Sequence, residues 1–277
     1  MRASTLLDRL RRMSAPPVPG AAPPAPPGPG PWPEDSYTVA TAEVVQFFGD
    51  EGIDLRGTAL ADIGCGDGVM DLGMVHHAEP SLVVGYDINA VDTASLLARA
   101  RARGVAGAEL PAELRFEVCG DTTLPAADHT FDHVFSWSAF EHVLRPLPVL
   151  KEAHRVLKPG GFLMIQLWPF YHSKHGSHLW DWFPDGFAQL LYDPAAVEGH
   201  VLAHPDQGPA WTDALLGAFR ELNRITLDDL HRALLGAGFD VVKLQLLTET
   251  FHIPEPLAHL PLSLLGTSGV KLLAAPQ

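Results

Sequence analysis

Hydrophobic and polar positions alternate between residues 40 and 168 in a way that predicts strands separated by helices. Short apolar runs typical of buried strands take turns with longer segments that have helical spacing. The predicted strands are 58–63, 82–86, 113–119, 131–137 and 162–167, and the predicted helices are 42–48, 69–77, 90–103 and 147–157. Strands that alternate with helices form right-handed βαβ units, so the pattern predicts a parallel sheet with helices on both faces.

The pattern breaks at residues 169–224, which are rich in Trp, Phe, His, Pro and Gly and show no clean period. A long irregular segment inside a compact domain is usually functional, so we predict a lid or binding insertion after the fifth strand. Regular structure returns at Thr226, where Asp229 completes a capping box for a helix that ends near Gly236. Two further strands are predicted at 240–247 and 270–274, which brings the total to seven.

Residues 1–36 differ in composition from the rest of the chain. Residues 14–33 are mainly Pro, Ala and Gly, and the thirteen residues before them carry four arginines. Because proline removes backbone donors and fixes φ, such a segment forms neither a helix nor a strand. We predict a disordered, basic and Pro-rich tail over 1–36 and one domain over 37–277.

A loop with three glycines directly after the first predicted strand carries the clearest chemical signal. It reads Asp62-Ile63-Gly64-Cys65-Gly66-Asp67-Gly68 and precedes a helix. Glycine permits a sharp turn and a close approach of the backbone to a ligand, and the helix that follows offers unpaired N–H groups. A dinucleotide fingerprint would be G-x-G-x-x-G, whereas Val69 stands where its third glycine would fall. The loop therefore favours a different nucleotide-type ligand.

This loop and the segments after it resemble the class I S-adenosylmethionine (SAM)-dependent methyltransferases, and in particular the methyltransferase type 11-like group. The loop resembles motif I, Asp87 ends the second strand, Asp121 follows the third, and Arg155–Gly161 looks like the segment after the fourth. The resemblance runs from about residue 40 to 168, and more weakly to the C-terminus. It implies SAM as the cofactor and an α/β fold: a doubly wound, Rossmann-like, seven-stranded and mostly parallel sheet with the insertion on the acceptor side.

The resemblance also implies which residues bind SAM. Asp87 would accept hydrogen bonds from the ribose hydroxyls, a role shared with nicotinamide enzymes, and Asp121 would accept one from the adenine amino group. Glu141-His142 is a pair widespread in the family, often packed at the pocket edge. The full predicted SAM-binding set is Asp62, Gly64, Cys65, Gly66, Gly68, Asp87, Ile88, Asp121, Thr122, Ser136, Trp137 and His142.

The insertion supplies most of the residues predicted to act on the acceptor. A hydroxyl acceptor needs a general base, and histidine suits that role near neutral pH. We predict that His172, His175 or His178 is the base, oriented by Asp181, with His142 as a rival. The predicted acceptor-binding residues are Tyr37, Trp168, Phe170, Tyr171, Trp180 and Trp182. These histidines and tryptophans could instead be ordinary loop and core residues, and their spacing does not lead us to predict a metal.

Composition limits the partners. The 277 residues include 19 Lys and Arg against 33 Asp and Glu, a net charge of −14. Because nucleic-acid binding needs clustered basic residues, we expect a small-molecule acceptor and no nucleic acid. Only two cysteines and no long apolar run point to a cytoplasmic protein without a membrane span. The sequence leaves the oligomeric state open, including a homo-oligomer.

The acceptor is the least constrained part of the prediction. We expect O-methylation of a sugar or natural-product intermediate in secondary metabolism, because the insertion is aromatic and the chain is acidic. N- or C-methylation of a small metabolite stays open, because SAM motifs do not define the acceptor. A nicotinamide-dependent oxidoreductase and a non-catalytic SAM-fold binding module are the remaining alternatives.

Overall fold

A computed structural model describes residues 33–107, 109–205 and 208–277. Its seven strands form one sheet in the order β3-β2-β1-β4-β5-β7-β6. The strands are β1 Ala59–Ile63, β2 Leu82–Asp87, β3 Leu114–Val118, β4 Phe131–Trp137, β5 Leu157–Leu167, β6 Phe239–Thr248 and β7 Thr267–Pro276. Only β7 runs antiparallel to its neighbours β5 and β6. The predicted seven-stranded, mostly parallel sheet is confirmed.

Helices cover both faces of the sheet, as βαβ units require. They are α1 Thr41–Gly49, α2 Val69–Ala78, α3 Thr93–Arg103, α4 Pro146–Val156, α5 Ala188–Leu191, α6 Pro194–Ala203, α7 Pro209–Arg220, α8 Leu227–Gly236 and α9 Leu262–Gly266. Buried side chains of α1, α2 and α3 pack on one face, and those of α4 and α8 pack on the other. The strand order reverses between β1 and β4, which places the ends of both strands beside a crevice where ligands of such sheets bind.

The strongly periodic elements begin and end close to their predicted bounds. The Thr226–Asp229 capping box is present, with Asp229 N donating to Thr226 Oγ1 at 3.1 Å and Thr226 N donating to Asp229 Oδ2 at 3.2 Å. The largest shift concerns β5, which begins at Leu157 rather than at Phe162, because Leu157 already pairs with Phe131 of β4.

The insertion was predicted to be irregular, and that prediction was wrong. Residues 169–224 contain the helices α5, α6 and α7. These helices share a separate hydrophobic cluster, in which Leu179, Val197, Val201 and Leu216 are essentially inaccessible to solvent. The insertion is therefore a small helical unit with its own core rather than an open loop.

The N-terminal tail was predicted over residues 1–36. Residues 1–32 of it lie outside the part of the chain that the structure describes. The folded part begins slightly earlier than predicted, because Asp35–Ala40 forms a π-helical segment that leads into α1. Within the described part of the chain, no helix is long and apolar enough to span a bilayer.

Candidate cofactor and acceptor site

The glycine loop after β1 turns sharply and is tied to the end of β2. The backbone N–H groups of Gly64 and Cys65 both donate to the carbonyl of Tyr86, at 2.8 and 3.1 Å. Gly64, Gly66 and Gly68 have φ values of 86°, 55° and 74°, a region in which a side chain is strained. The glycines are therefore needed for the backbone path itself, and Gly64 and Gly66 border a cavity at the crevice.

Asp87 links this loop to the second strand. Its Oδ2 accepts a hydrogen bond from Gly66 N at 3.1 Å, and its Oδ1 accepts one from Asn89 N at 2.9 Å. Two backbone donors hold the carboxylate in one orientation at the carboxyl end of β2, and each oxygen keeps a further lone pair. The geometry fits a carboxylate that accepts hydrogen bonds from a ligand's hydroxyl groups.

A cavity of about 440 Å³ opens at these strand ends. Its wall includes seven residues of the predicted SAM-binding set: Gly64, Gly66, Asp87, Ile88, Asp121, Thr122 and His142. Residues that were not predicted also border it, among them Asn89, Ser138, Ala139, Arg145 and Glu221. The exposed side chain of Ile88 supplies an apolar surface on one side.

Asp121 carries an ion pair that the sequence did not indicate. Arg145 Nη2 lies 2.6 Å from Asp121 Oδ2, and both side chains are more than half exposed. Exposed ion pairs contribute little to stability, so the pairing matters chiefly because both groups border the cavity. Arg145 follows β4 by only eight positions, and its nearness to Asp121 depends on the pairing of strands rather than on local sequence.

Three of the predicted SAM-binding residues serve the packing of the sheet instead of the cavity wall. Ser136 is buried, and its hydroxyl donates to the carbonyl of Ile63 at 2.6 Å. Trp137 packs with the cluster of α1 and α2, with Lys271 above its ring. Cys65 is buried against Gly85, and burial raises the pKa of its thiol far above the ordinary value. The residues two positions further on, Ser138 and Ala139, take the place at the cavity that we predicted for Ser136 and Trp137.

Two more members of the set, Asp62 and Gly68, lie behind the cavity wall. A side chain at Gly68 would collide with Phe116. Asp62 is buried together with Asp71, and Asp62 Oδ1 and both carboxylate oxygens of Asp71 find no hydrogen-bond partner among the described residues. Burial raises the pKa of both carboxyl groups, and the charge of Asp71 adds to the rise at Asp62.

The predicted acceptor-binding aromatics fall into two groups. Trp168 and Trp180 lie together, with ring centroids 5.9 Å apart. Phe170, Tyr171 and Trp182 are buried in hydrophobic clusters. Tyr37 is buried as well, and its hydroxyl is 2.7 Å from Nδ1 of His76 on α2. The last four residues are therefore core residues, which leaves the two tryptophans for an acceptor wall.

Asp181, the residue predicted to orient the catalytic base, contacts Trp211 rather than a histidine. Asp181 is exposed, and its Oδ2 accepts a hydrogen bond from Trp211 Nε1 at 3.1 Å. The acidic neighbour of His175 is Glu249, with Nε2 and Oε2 3.4 Å apart. The role of Asp181 as the orienting group is thus not supported by its placement.

His178 is the one of the three insertion histidines that packs against a residue of the cavity wall. Its ring centroid lies 5.2 Å from that of His142, and its Nε2 lies 4.0 Å from Oε1 of Glu141. All three side chains are largely buried. Burial raises the pKa of Glu141 to about 8 and lowers the pKa of His178 to about 4. We call Glu141, His142 and His178 the Glu-His-His cluster.

Asn223 fixes the segment that carries this cluster. Its Nδ2 donates to the carbonyls of Phe140 and Val143 at 2.6 and 2.7 Å, and its backbone N–H donates to the carbonyl of Glu141 at 2.9 Å. Three hydrogen bonds from the end of the insertion therefore hold residues 140–143. Sequence reasoning missed Asn223, which has no recognisable motif around it.

The strand order, the glycine loop and the carboxylate at the end of β2 define a class I SAM-dependent methyltransferase fold, with SAM as the cofactor of that class. Residues 61–165 match the family described as "Methyltransferase domain". This match and the sheet order confirm the predicted class I SAM-dependent methyltransferase resemblance, the fold and SAM as the cofactor.

Known proteins similar to the chain differ in their acceptors. A ubiquinone biosynthesis O-methyltransferase of Cereibacter sphaeroides (strain ATCC 17025 / ATH 2.4.3) is 32% identical over 54% of this chain and 66% of its own length. A probable tRNA methyltransferase 9B of Mus musculus is 30% identical over 63% of this chain and 37% of its own. The crystal structure of a putative sarcosine dimethylglycine methyltransferase from Galdieria sulphuraria has a TM-score of 0.53 at 15% identity, over 85% of this chain and 84% of that one.

The chain spans between 37% and 66% of the length of the first curated relatives it matches. A tRNA methyltransferase among them means that the comparisons do not support the exclusion of nucleic acid that we drew from net charge.

Proposed function

We propose that the chain binds SAM in the cavity at the ends of β1, β2 and β4 and transfers its methyl group to a hydroxyl of a small molecule. The observation that carries the proposal is that Asp87 and His142 line the same cavity. A donor site and a polar group able to act on an acceptor thus share one space.

The donor half uses residues whose geometry is already fixed. The Asp87 carboxylate, oriented by Gly66 N and Asn89 N, accepts hydrogen bonds from the ribose hydroxyls. Asp121 accepts one from the adenine amino group, and Ile88 contributes apolar contact with the base. The glycine loop lets the backbone approach the methionine part of the donor without a side chain in the way.

The acceptor half lies between the cavity and the insertion. The methyl group leaves the sulfonium with its bonding electrons going to sulfur, the acceptor oxygen forms the new C–O bond, and the hydroxyl proton must be removed. Among the predicted bases we favour His178, because it packs on His142, whereas His172 and His175 border other groups. Trp168 and Trp180 would exclude water from the acceptor.

The acceptor class rests on the chemistry of this half. Aromatic rings and imidazoles suit an uncharged hydroxyl compound of modest size, such as a sugar or natural-product intermediate of secondary metabolism. A cytoplasmic setting is part of the proposal and draws on the two free cysteines. An RNA acceptor is the second candidate, favoured by the similarity to a tRNA methyltransferase and opposed by a net charge of −14.

Trideuteromethyl-SAM separates these candidates. The purified chain is incubated with the labelled donor and, in parallel, with phenols, sugars, small amines and unmodified tRNA, and labelled products and S-adenosylhomocysteine are followed by mass spectrometry. We expect label in one hydroxyl class. Label in tRNA or in amines alone would replace the proposed acceptor, and label in none of them, with the donor bound, would contradict methyl transfer to a hydroxyl.

A further inference from the structure

We propose that the Glu-His-His cluster binds one divalent transition-metal ion at the edge of the cavity. That an ion binds is inferred from the geometry and burial of the cluster alone. Its role, which is to bind an oxygen of the methyl acceptor and promote loss of the hydroxyl proton in place of a free His178 base, rests on the proposed function. The residues come from two distant segments, 141–142 after β4 and 178 in the insertion.

The three side chains converge on one point. One potential ligand atom from each lies within 4.8 Å of the others. Ligands of a tetrahedral zinc ion at about 2.0–2.2 Å are about 3.3–3.6 Å from one another. The cluster therefore needs to contract by only about 1 Å, which side-chain rotations of that size achieve.

Polar atoms of the cluster are buried without satisfied hydrogen bonds. Oε2 of Glu141 and Nδ1 of both His142 and His178 have no hydrogen-bond partner among the residues that the structure describes. The Glu141 side chain is only 3% exposed. An unsatisfied buried polar atom costs about 1–3 kcal/mol, and native structures rarely hold several at one place. A cation bound by one atom of each side chain would give these buried groups a partner that the described residues do not supply.

The backbone around the cluster is fixed in advance. Asn223 holds residues 140–143 through three hydrogen bonds. His178 has a φ of 61°, a left-handed conformation that is uncommon for a residue other than glycine and costs energy. The buried His178 ring packs on His142, and its Nε2 lies 4.0 Å from Oε1 of Glu141.

The donor set selects the kind of ion. Magnesium and calcium prefer oxygen ligands only, whereas two imidazoles and one carboxylate suit zinc and its first-row neighbours. Three protein ligands leave a tetrahedral ion one further position. Because His142 also borders the cavity, that position is available to an oxygen of a molecule bound there.

Zinc binding to the full chain tests the inference. Protein stripped with EDTA is titrated with Zn²⁺ by calorimetry, and the retained metal is measured after gel filtration by mass spectrometry. We expect one zinc per chain. Glu141→Gln and His178→Asn should each weaken binding by about 100-fold or more, because loss of even an outer-shell contact costs 10–100-fold. His172→Asn, the same change elsewhere in the insertion, should retain one zinc.

Two readouts keep the result decisive. S-adenosylhomocysteine binding reports on the donor site and the fold of each variant, so failure of the metal inference is distinguishable from failure of the proposed function. If a variant does not fold, the visible spectrum of the Co²⁺-loaded wild-type protein tests the metal site instead. We expect the bands of a four- or five-coordinate cobalt ion. Failure of the wild type to retain zinc, a six-coordinate cobalt spectrum, or equal retention by Glu141→Gln and His178→Asn would overturn the inference.

Discussion

The imidazole rings of His142 and His178 lie 5.2 Å apart, although one follows β4 and the other belongs to the insertion. The contact joins the wall of the cofactor cavity to the helical unit that lies after β5. Any group that acts on the methyl acceptor must be near the donor. Through its contact with His142, His178 is the insertion histidine that lies next to the cavity.

His178→Asn should lower kcat/KM for methyl transfer by about 10²-fold or more, because a general base or a metal ligand at the acceptor contributes about 10²–10⁴-fold. The affinity for S-adenosylhomocysteine should stay unchanged, since His178 does not border the donor half of the cavity. His172→Asn is the matched control and should keep activity within about threefold. Steady-state assays with the acceptor identified by isotope transfer measure both. Full activity in His178→Asn would contradict this assignment.

Asn223→Ala should reduce kcat by about tenfold or more through misplacement of residues 140–143, because displacement of about 1 Å costs up to about 10²-fold. The loss of two hydrogen bonds to carbonyls should lower the free energy of unfolding by about 1–3 kcal/mol. Thr226→Ala removes the cap of α8, costs about 1 kcal/mol, and should leave kcat unchanged. Urea denaturation and kinetics on both variants check the prediction. Equal kcat values for the two variants would show that Asn223 stabilises the fold only.

Asp121 should discriminate adenine from hypoxanthine. S-inosylhomocysteine presents a carbonyl oxygen where S-adenosylhomocysteine presents an amino group, so the carboxylate loses a donor and gains a repulsive acceptor. The wild type should prefer the adenosyl compound by about tenfold or more, which corresponds to about 1.4 kcal/mol. Asp121→Ala should lose that preference, while Arg145→Gln should keep it. Calorimetric titrations give the four affinities, and a preference that persists in Asp121→Ala would place the adenine elsewhere.

Asp71 should make the protein less stable as pH rises. Burial raises the pKa of this carboxyl group above its ordinary value of 3.8, so the folded chain keeps a proton that the unfolded chain releases. Stability is therefore full below about pH 4 and declines above it until the folded group also ionises. Each unit of pKa difference corresponds to about 1.4 kcal/mol.

Asp71→Asn removes this titration. The variant should be more stable than the wild type at pH 7.5 and should gain much less, or nothing, at pH 4, as measured by urea unfolding at both values. Asp185→Asn, at an exposed position, should show no such difference. A constant offset between Asp71→Asn and the wild type across pH would mean that the carboxyl group is not protonated in the folded state.

Local signals explain which elements could be predicted from the sequence. The glycine loop and α2 follow from residues that stand next to each other in the chain. The start of β5 could not be predicted, because Leu157 becomes a strand residue only through its pairing with Phe131. Helix α6 was missed because its apolar periodicity is weak, whereas α7 has a clear apolar period that was overlooked. Asp193-Pro194 and Gly208-Pro209 are helix-start signals that could have indicated both.

The site was predictable only where it depends on one segment. Asp87 and the glycine loop are adjacent to strands whose order the family resemblance already implies. Ser136 was misplaced by two residues, because it still lies within β4, where its hydroxyl donates to the carbonyl of Ile63. Ser138 follows the end of the strand and borders the cavity instead. Asn223, Arg145 and the pairing of His178 with Glu141 depend on contacts between distant segments, for which one sequence gives no signal.

A calorimetric titration with SAM and S-adenosylhomocysteine tests most directly whether the cavity beside Asp87 binds the methyl donor. The wild type should bind both with micromolar affinity. Asp87→Asn should bind at least about tenfold more weakly, because hydrogen bonds to a charged group are worth about 1.5–3 kcal/mol. Asp185→Asn should bind as the wild type does. Absence of binding by the folded wild type, or equal affinity in Asp87→Asn, would show that Asp87 does not hold the donor.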